Sequence, residues 1–149
     1  AIYIDIVKKN DTIRVYNLHL QSLRINPKKE EFSQKNSERL LKRMAKAFKM
    51  QQSQVELFEA NRKKCTYKNI ILGDFNNTPF SNVYKRIKGD MKDAFVEAGK
   101  GFGSTLDFSY FPMRIDFILT DESFTVNTFK TFSEHYSDHF AIQSVISLD

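Results

Sequence analysis

The first residues of the chain alternate between apolar and other positions. Ile2, Ile4 and Ile6 recur with the period of two that is typical of a β-strand. The polar residues 8–11 follow as a turn, and residues 12–21 have the composition of a partner strand. The pattern therefore predicts a β-hairpin at the start of the chain.

The apolar spacing changes to a helical period further along. Between about Pro27 and Lys64, six apolar residues fall on one helical stripe, and the other positions are mostly charged or amide residues. The stripe consists of Leu41, Met44, Ala45, Phe48, Val55 and Phe58. We therefore predict one long helix, or two joined helices, packing on a sheet.

Strands and short helices are predicted in the rest of the chain. The strands are 69–74, 114–120, 123–132 and 139–148, and the helices are 81–87 and 91–99, the second ended by Gly99. Several strands are apolar on both sides. We therefore expect one domain over residues 1–149, with a mixed sheet covered by helices on one face and packed against something else on the other.

Composition limits the classes of protein that this chain can belong to. Its 149 residues, 41% hydrophobic and 28% charged, are typical of one globular domain with a proper core. The net charge of +5 favours an anionic partner such as a phosphate ester or nucleic acid. Cys65 is the single cysteine, which excludes an intrachain disulfide and a cysteine-based metal site. No apolar run approaches membrane-spanning length.

Polar side chains stand at or within strands at four places in the chain. Each also has an ordinary structural interpretation: a lone strand histidine is often a satisfied structural residue, and an aspartate often caps a turn. The residues concerned are His19, Asp74 with Asn76, Asp116, and Asp138 with His139. Asp116 is the hardest to explain structurally, because it lies between apolar residues in a predicted strand and a buried carboxylate needs a partner.

These residue types together suit a metal-assisted phosphoester site. Carboxylate and amide oxygens are hard ligands that suit Mg²⁺ or Mn²⁺. A histidine held by a carboxylate can take a proton from water near neutral pH. A second histidine or an asparagine can donate to the charge that develops on a phosphate.

The short segments around these residues resemble a known family. "NLHLQS", "GDFNNTP", "RIDFIL" and "SDHFAI" resemble, in this order, the four C-terminal motifs of the endonuclease/exonuclease/phosphatase superfamily. The resemblance implies an α/β (α+β) fold, the C-terminal half of a four-layer αββα sandwich with mixed, largely antiparallel sheets. It also implies an active site at one edge of the sandwich.

The resemblance implies roles for the residues that match the motifs. His139 would transfer protons and be oriented by Asp116, so a hydrogen bond between them is expected. Asp138 would bind the metal, and Asp74 would position the attacking water or also bind the metal.

Four further positions match residues near the family's site. Asn76 would hydrogen-bond the phosphate or the water, and His19 would contact the phosphate with Asn17 as a possible neighbour. Arg114 would brace the site, and its alternative interpretation is an ordinary surface cation.

One departure from the family pattern concerns the start of the chain. The family's domain begins with a strand that bears an amide residue and continues to a strand that bears a glutamate metal ligand. Nothing before residue 17 supplies either, and the chain begins directly in a strand. We therefore expect residues 1–149 to be the C-terminal portion of such a domain, a poor enzyme alone and prone to self-association through an uncovered sheet face.

The substrate is the least determined part of the prediction. A nuclease or general phosphodiesterase dependent on Mg²⁺ or Mn²⁺ is the leading hypothesis, with nucleic acid as the substrate. A phosphatase or sphingomyelinase-like hydrolase is the second, and a non-catalytic fragment that binds phosphate or a partner is the third. The aromatic residues Phe108, Tyr110 and Phe111 could stack on bases, contact lipid or pack in the core.

Overall fold

The computed structural model describes residues 1–9, 11–23, 34–107 and 111–148. Within these ranges the chain forms strands and helices in the order β1 (Ile2–Lys8), β2 (Asp11–His19), α1 (Gln34–Arg62), β3 (Lys68–Asp74), α2 (Asn82–Lys88), β4 (Lys92–Asp93), α3 (Ala94–Ala98), β5 (Asp116–Thr120), β6 (Phe124–Thr131) and β7 (Ile142–Leu148).

Five of these strands form one mixed sheet in the order β1-β2-β3-β5-β4. The hairpin β1–β2 is antiparallel, as predicted, and so are the pairs β3–β5 and β4–β5. The pair β2–β3 is parallel, with α1 in the connection between the two strands. The two parallel strands therefore end at the same edge of the sheet, and β5 begins there.

The main core lies between this sheet and helices α1 and α2. Every second side chain of the central strands points to this side, where aromatic residues make the largest contacts. Tyr16 packs edge-on against Phe58 of α1 with ring centres 5.2 Å apart, and Tyr84 of α2 lies 4.7 Å from Phe117. The predicted helical cover on one face of a mixed sheet is thus confirmed.

The opposite face of the sheet is open at β1. Tyr3 pairs with the buried Tyr16, so Ile2, Ile4 and Ile6 point to the other side. These three side chains are 69%, 59% and 46% exposed. A row of exposed isoleucines on an edge strand is unusual and favours contact with other polypeptide.

A second, two-stranded sheet is formed by β6 and β7, with an irregularity between Val126 and Thr128. Helix α3 packs on it, where Phe95 meets the ring of Phe129 at 5.5 Å. Among the described residues, no helix combines the length and the apolar character needed to cross a bilayer.

The prediction that the apolar stripe of helix α1 packs on the sheet is only partly correct. The predicted segment contains one continuous helix, Gln34–Arg62, and its predicted residues 27–33 lie outside the described residues. Leu41 is 65% exposed, Phe48 is 42% exposed and Ala45 is also exposed, whereas Met44 is half-buried, so most of the first half of the stripe is not part of the core. The second half, with Val55 and Phe58, is buried as predicted.

Three predicted element boundaries were also wrong. The strand that contains Asp116 begins at this residue, and the last strand begins at Ile142, so His139 lies in the loop before it. The helix predicted at 91–99 covers only Ala94–Ala98, although the backbone N–H of Gly99 closes it by donating to the carbonyl of Phe95.

Gly73 permits the close approach of β2 and β3 near their common end. Its φ is +130°, and a Cβ placed there would lie 2.0 Å from the carbonyl oxygen of Leu18. Backbone atoms of a paired strand cannot yield to such an overlap without loss of the pairing. No other residue type fits this position.

We predict that Gly73→Ala destabilises the protein by about 3 kcal/mol or more, from backbone strain together with steric overlap. The measurement is chemical unfolding followed by circular dichroism. Gly101→Ala is the matched control, because Gly101 also has a positive φ (71°) but a Cβ there would have no atom within 4 Å. Equal losses in the two variants would contradict the close-approach argument.

Candidate active site

A single row of polar residues crosses three strands at one edge of the main sheet. In the parallel pair, His19 is the partner of Asp74, and in the antiparallel pair Asp74 is the partner of Asp116. Paired residues point to the same face of a sheet, so the three side chains lie side by side. This face is the one opposite helices α1 and α2. The structure therefore brings together three of the residues that the sequence singled out.

Asp74 is held by the turn that follows it. Its Oδ1 accepts a hydrogen bond from the backbone N–H of Asn76 at 2.7 Å, and its Oδ2 accepts one from the side-chain Nδ2 of Asn76 at 2.7 Å. Asn76 adopts a φ of 49°, a left-handed conformation that asparagine tolerates better than most residues. The aspartate therefore does cap a turn, and the same turn presents its carboxylate at the edge of the sheet.

His139 reaches this row from a loop. Its Nδ1 lies 2.9 Å from Oδ2 of Asp116, the hydrogen bond that the sequence predicted between them. The backbone of the loop is anchored on both sides of the ring: the N–H of His139 donates to Oγ of Ser137, and the N–H of Phe140 donates to the carbonyl of Thr105. The imidazole is therefore held in one orientation, with Nε2 on its far side.

Thr105 is a buried residue that sequence reasoning did not find. Its Oγ1 accepts hydrogen bonds from the backbone N–H groups of Ile115 and Asp116, both at 3.0 Å, and its side chain is fully buried. It thus joins the start of β5 to the loop that holds His139. A threonine within a glycine-rich stretch gives no signal of such a role in one sequence.

Asp74 and His139 both have pKa values that are shifted from their ordinary values. Burial is the largest influence on Asp74 and raises the pKa of its carboxyl group; the Asn76 N–H opposes this and the charge of Asp116 adds to it. Burial alone would lower the pKa of His139, but its hydrogen bond to Asp116 and the charges of Asp116, Asp74 and Asp138 together raise it. Both groups therefore favour a proton more than they would in water.

Asp74, Asp116 and His139 could together hold a metal ion. One ligand atom from each lies within 4.8 Å of the others, and all three residues are partly buried. Two carboxylates beside one another are hard oxygen donors with a joint negative charge, which suits a divalent cation such as Mg²⁺ or Mn²⁺. Asp138, the other metal ligand expected from the sequence, is exposed and does not belong to this group.

His19 and Asn17 lie at the outer part of the cluster. The Nε2 of His19 is 3.6 Å from Oδ2 of Asp74, and its side chain is 76% exposed. Asn17 is exposed two residues earlier in the same strand, and therefore on the same face as His19. The two side chains are accessible to a ligand that approaches from solvent.

Arg114 is a buried cation behind the site. Its Nη1 donates to both carboxylate oxygens of Asp93, at 3.0 and 2.7 Å, and its side chain is 8% exposed. Tyr84 donates to the same carboxylate, and burial, with that bond to Asp93, raises the pKa of Tyr84. The surface-cation interpretation was therefore wrong. Arg114 links β4 to the residues just before Asp116 and makes no described contact with the cluster.

The aromatic loop can be assessed only in part. Phe108 and Tyr110 lie outside the described residues, and Phe111 is 56% exposed, so it does not pack in the core.

Comparison with known proteins supplies the last observation. A sequence model of the Endonuclease/Exonuclease/phosphatase family matches residues 46–139. A search of curated proteins found no match. Among solved structures, an endonuclease/exonuclease/phosphatase family protein from Leptotrichia buccalis is 24% identical with a TM-score of 0.61, over 98% of this chain and 52% of that one.

Two further similar structures have described activities. A mannosyl-6-phosphatase from Bacteroides thetaiotaomicron is 20% identical with a TM-score of 0.57, over 94% of this chain and 53% of that one. A 3' phosphatase from Neisseria, bound to a product DNA hairpin, is 14% identical with a TM-score of 0.58, over 97% of this chain and 64% of that one. At these identities the likeness concerns the fold. The chain spans roughly half to two thirds of the length of these structures.

We predict that Asp116→Asn lowers the pKa of His139 in the metal-free protein, because the substitution removes the negative charge next to the imidazole. The measurement is an NMR titration of the ring protons. Asp138→Asn is the control and should lower the pKa of His139 less, since Asp138 contributes charge but no described hydrogen bond to the imidazole.

The same shift has a consequence for stability. A raised pKa of His139 stabilises the folded protein below the unfolded histidine pKa of about 6.5, and this contribution is lost as the pH rises through the folded value. Asp116→Asn should therefore cost stability mainly at low pH. An unchanged His139 pKa in Asp116→Asn would contradict the conclusion that Asp116 raises this pKa.

Proposed function

Because this chain belongs to the Endonuclease/Exonuclease/phosphatase family, we propose that it provides catalytic residues of a divalent-metal-dependent phosphoester hydrolase, a phosphodiesterase or nuclease. The observation that carries the proposal is the row of His19, Asp74 and Asp116 with His139 bonded to its end. The chain is also similar in fold to a phosphatase that was solved with DNA, which supports a hydrolase as the class to test.

The proposed metal is Mg²⁺ or Mn²⁺, with Asp74 as a ligand; Asp116 and His139 lie close to it and keep their mutual hydrogen bond. When bound, such an ion polarises a phosphoryl oxygen and offsets its charge. Asp138 is the second proposed ligand, and this assignment rests on the motif alone, because Asp138 is not among the residues whose ligand atoms lie within 4.8 Å of one another.

His139 is proposed to take the proton from the attacking water. With Nδ1 donating to Asp116, the free Nε2 carries the lone pair that accepts a proton. Only the neutral ring can do this, so the rate should rise with pH through the raised pKa of His139. Asp116 then stabilises the imidazolium that forms.

Asn76 and His19 are proposed to act on the phosphate. His19 is exposed and can donate to a phosphate oxygen directly. The side-chain Nδ2 of Asn76 already donates to Asp74 and, at 3.1 Å, to the carbonyl of Leu20. Asn76 therefore positions Asp74, and a bond from Asn76 to phosphate requires the exchange of one of these two bonds.

Nucleic acid is proposed as the first substrate to test, because the net charge of the chain is +5. A phosphatase or sphingomyelinase-like activity is the alternative within the same chemistry, and the similarity to a mannosyl-6-phosphatase supports testing phosphomonoesters as well. A non-catalytic fragment that binds phosphate or a partner is the remaining alternative.

We predict that the full-length protein that contains this chain hydrolyses a phosphodiester in Mg²⁺ or Mn²⁺, and that His139→Ala lowers kcat by about 10²- to 10⁴-fold. Asp74→Ala should abolish the activity. His135→Ala is the matched control, because His135 is exposed, and its ion pair with Asp107 and its ring contact with Phe140 do not involve the residues of the polar row.

The assay should compare DNA and RNA with sphingomyelin and inositol phosphates. Activity confined to lipid or inositol substrates would refute the nuclease assignment and leave the mechanism intact. Wild-type activity in His139→Ala would refute the mechanism.

Residues 1–149 are proposed to be the C-terminal portion of the family's domain. We predict that this portion alone self-associates through the open face of β1 and is at least about tenfold less active on DNA than the full-length protein. Light scattering and a nuclease assay in Mg²⁺ test the two parts. A monodisperse monomer with full activity would contradict both.

Two variants of β1 test whether its open face is the surface of self-association. Ile4→Lys places a charge on the open face and should shift the portion toward monomer. Val7→Lys is the control, since Val7 is 71% exposed but points to the other face of β1.

A further inference from the structure

Gln51 is a buried amide on the packed face of helix α1. It lies one turn from Ala47 and one turn from Val55, both buried, and is itself fully buried. An amide inside an apolar layer costs free energy unless its polar atoms are hydrogen-bonded. The partners of this side chain therefore decide why it is tolerated there.

The side chain of Gln51 joins the segments that follow β2 and β3. Its Nε2 donates to the carbonyl of Gln21 at 2.7 Å and to the carbonyl of Asn76 at 3.3 Å. Its Oε1 accepts a hydrogen bond from Nδ2 of Asn77 at 2.8 Å. Both ends of the amide are thus used, and none of these bonds lies within the helix.

The segment after β2 is also held by a second glutamine of α1. Gln54 accepts a hydrogen bond from the backbone N–H of Gln21 at 2.9 Å. Gln51 and Gln54, three positions apart on one helix, therefore fix both polar backbone groups of Gln21. Gln21 lies two residues after His19, so the end of β2 has little freedom to move relative to α1.

The segment after β3 contains the strained turn at Asn76. The left-handed φ of 49° directs both the backbone N–H and the side chain of Asn76 to Asp74, and Gln51 is the side chain that bonds its carbonyl. Because the carbonyl of Asn76 and the side chain of Asn77 bind the same amide, the turn is fixed at two adjacent residues. The orientation of the Asp74 carboxylate follows from this turn.

We propose that Gln51 is a positioning residue that sets the separation and orientation of His19 and Asp74 from outside the cluster. No described hydrogen bond joins Gln51 to either residue, and it acts through Gln21 on one side and through Asn76 and Asn77 on the other. The inference rests on the proposed phosphoester hydrolysis, and it assigns a role to a residue outside the four motifs.

Gln51→Met tests the proposal in the full-length protein, because methionine keeps the length and volume of the side chain and removes all three hydrogen bonds. The expected result is a fall in kcat of about 10- to 100-fold with little change in KM. In the metal-free protein, NMR should show a changed chemical shift and faster hydrogen exchange for the backbone amide of Asn76.

Two controls separate positioning from general stability. Gln52→Met alters the adjacent exposed glutamine, which bonds only Glu56 among the described contacts, and should keep wild-type kcat and amide signals. Ile87→Val removes a methyl group from the core in α2 and lowers the unfolding midpoint without touching either segment.

The proposal is overturned if Gln51→Met retains wild-type kcat and wild-type Asn76 amide signals. It is also overturned if Ile87→Val lowers kcat as much as Gln51→Met does when both variants lose the same free energy of unfolding. If the wild-type protein hydrolyses no phosphoester, the proposed function fails. The Asn76 amide signals then decide the role of Gln51 by themselves.

Discussion

The pairing register of β3 is the constraint on which the candidate site depends. Tyr16 and Ile71, three residues before His19 and Asp74, pair with Leu119, three residues after Asp116, in an apolar row that is buried under the helices. A slip of one residue would turn every side chain of β3 to the other face, exposing Ile71 and burying Asp74. Hydrophobic burial on one face therefore fixes the polar arrangement on the other, and Gly73 allows the strands to approach closely enough to keep it.

The site holds two carboxylates side by side, and their mutual repulsion affects how readily the site binds a proton or a cation. Asp74 and Asp116 are neighbours in a half-buried position, where two ionised carboxylates repel one another. Hydrogen bonds from Asn76 and the imidazole of His139 offset part of this cost, but the pKa of Asp74 stays raised. Such an arrangement is stabilised when it takes up a proton or a cation, which agrees with the proposed metal-dependent hydrolysis.

The side chains with proposed catalytic roles are more exposed to solvent than the side chains that support them by hydrogen bonds. His19, Asp74 and His139 are accessible or half-buried, whereas Thr105 and Gln51 are fully buried. The buried groups bond to backbone atoms next to the reactive side chains, so their hydrogen bonds are shielded from water and geometrically restrictive. These buried hydrogen bonds support the polar row from behind, so that the carboxylates of Asp74 and Asp116 are held close together in the unbound protein.

The sequence by itself determined most of the strands, but not their bounds, and the polar residues near their ends, because alternation and an abrupt change from apolar to polar residues are local signals. It identified Asp116 as needing a partner, and the partner is His139. Only the tertiary structure decided that Leu41 is exposed and Gln51 buried, because helical periodicity shows which residues share a face but not how far the sheet extends beneath it. The same holds for Thr105, whose role follows from which backbone groups lie across the loop and not from its neighbours in sequence.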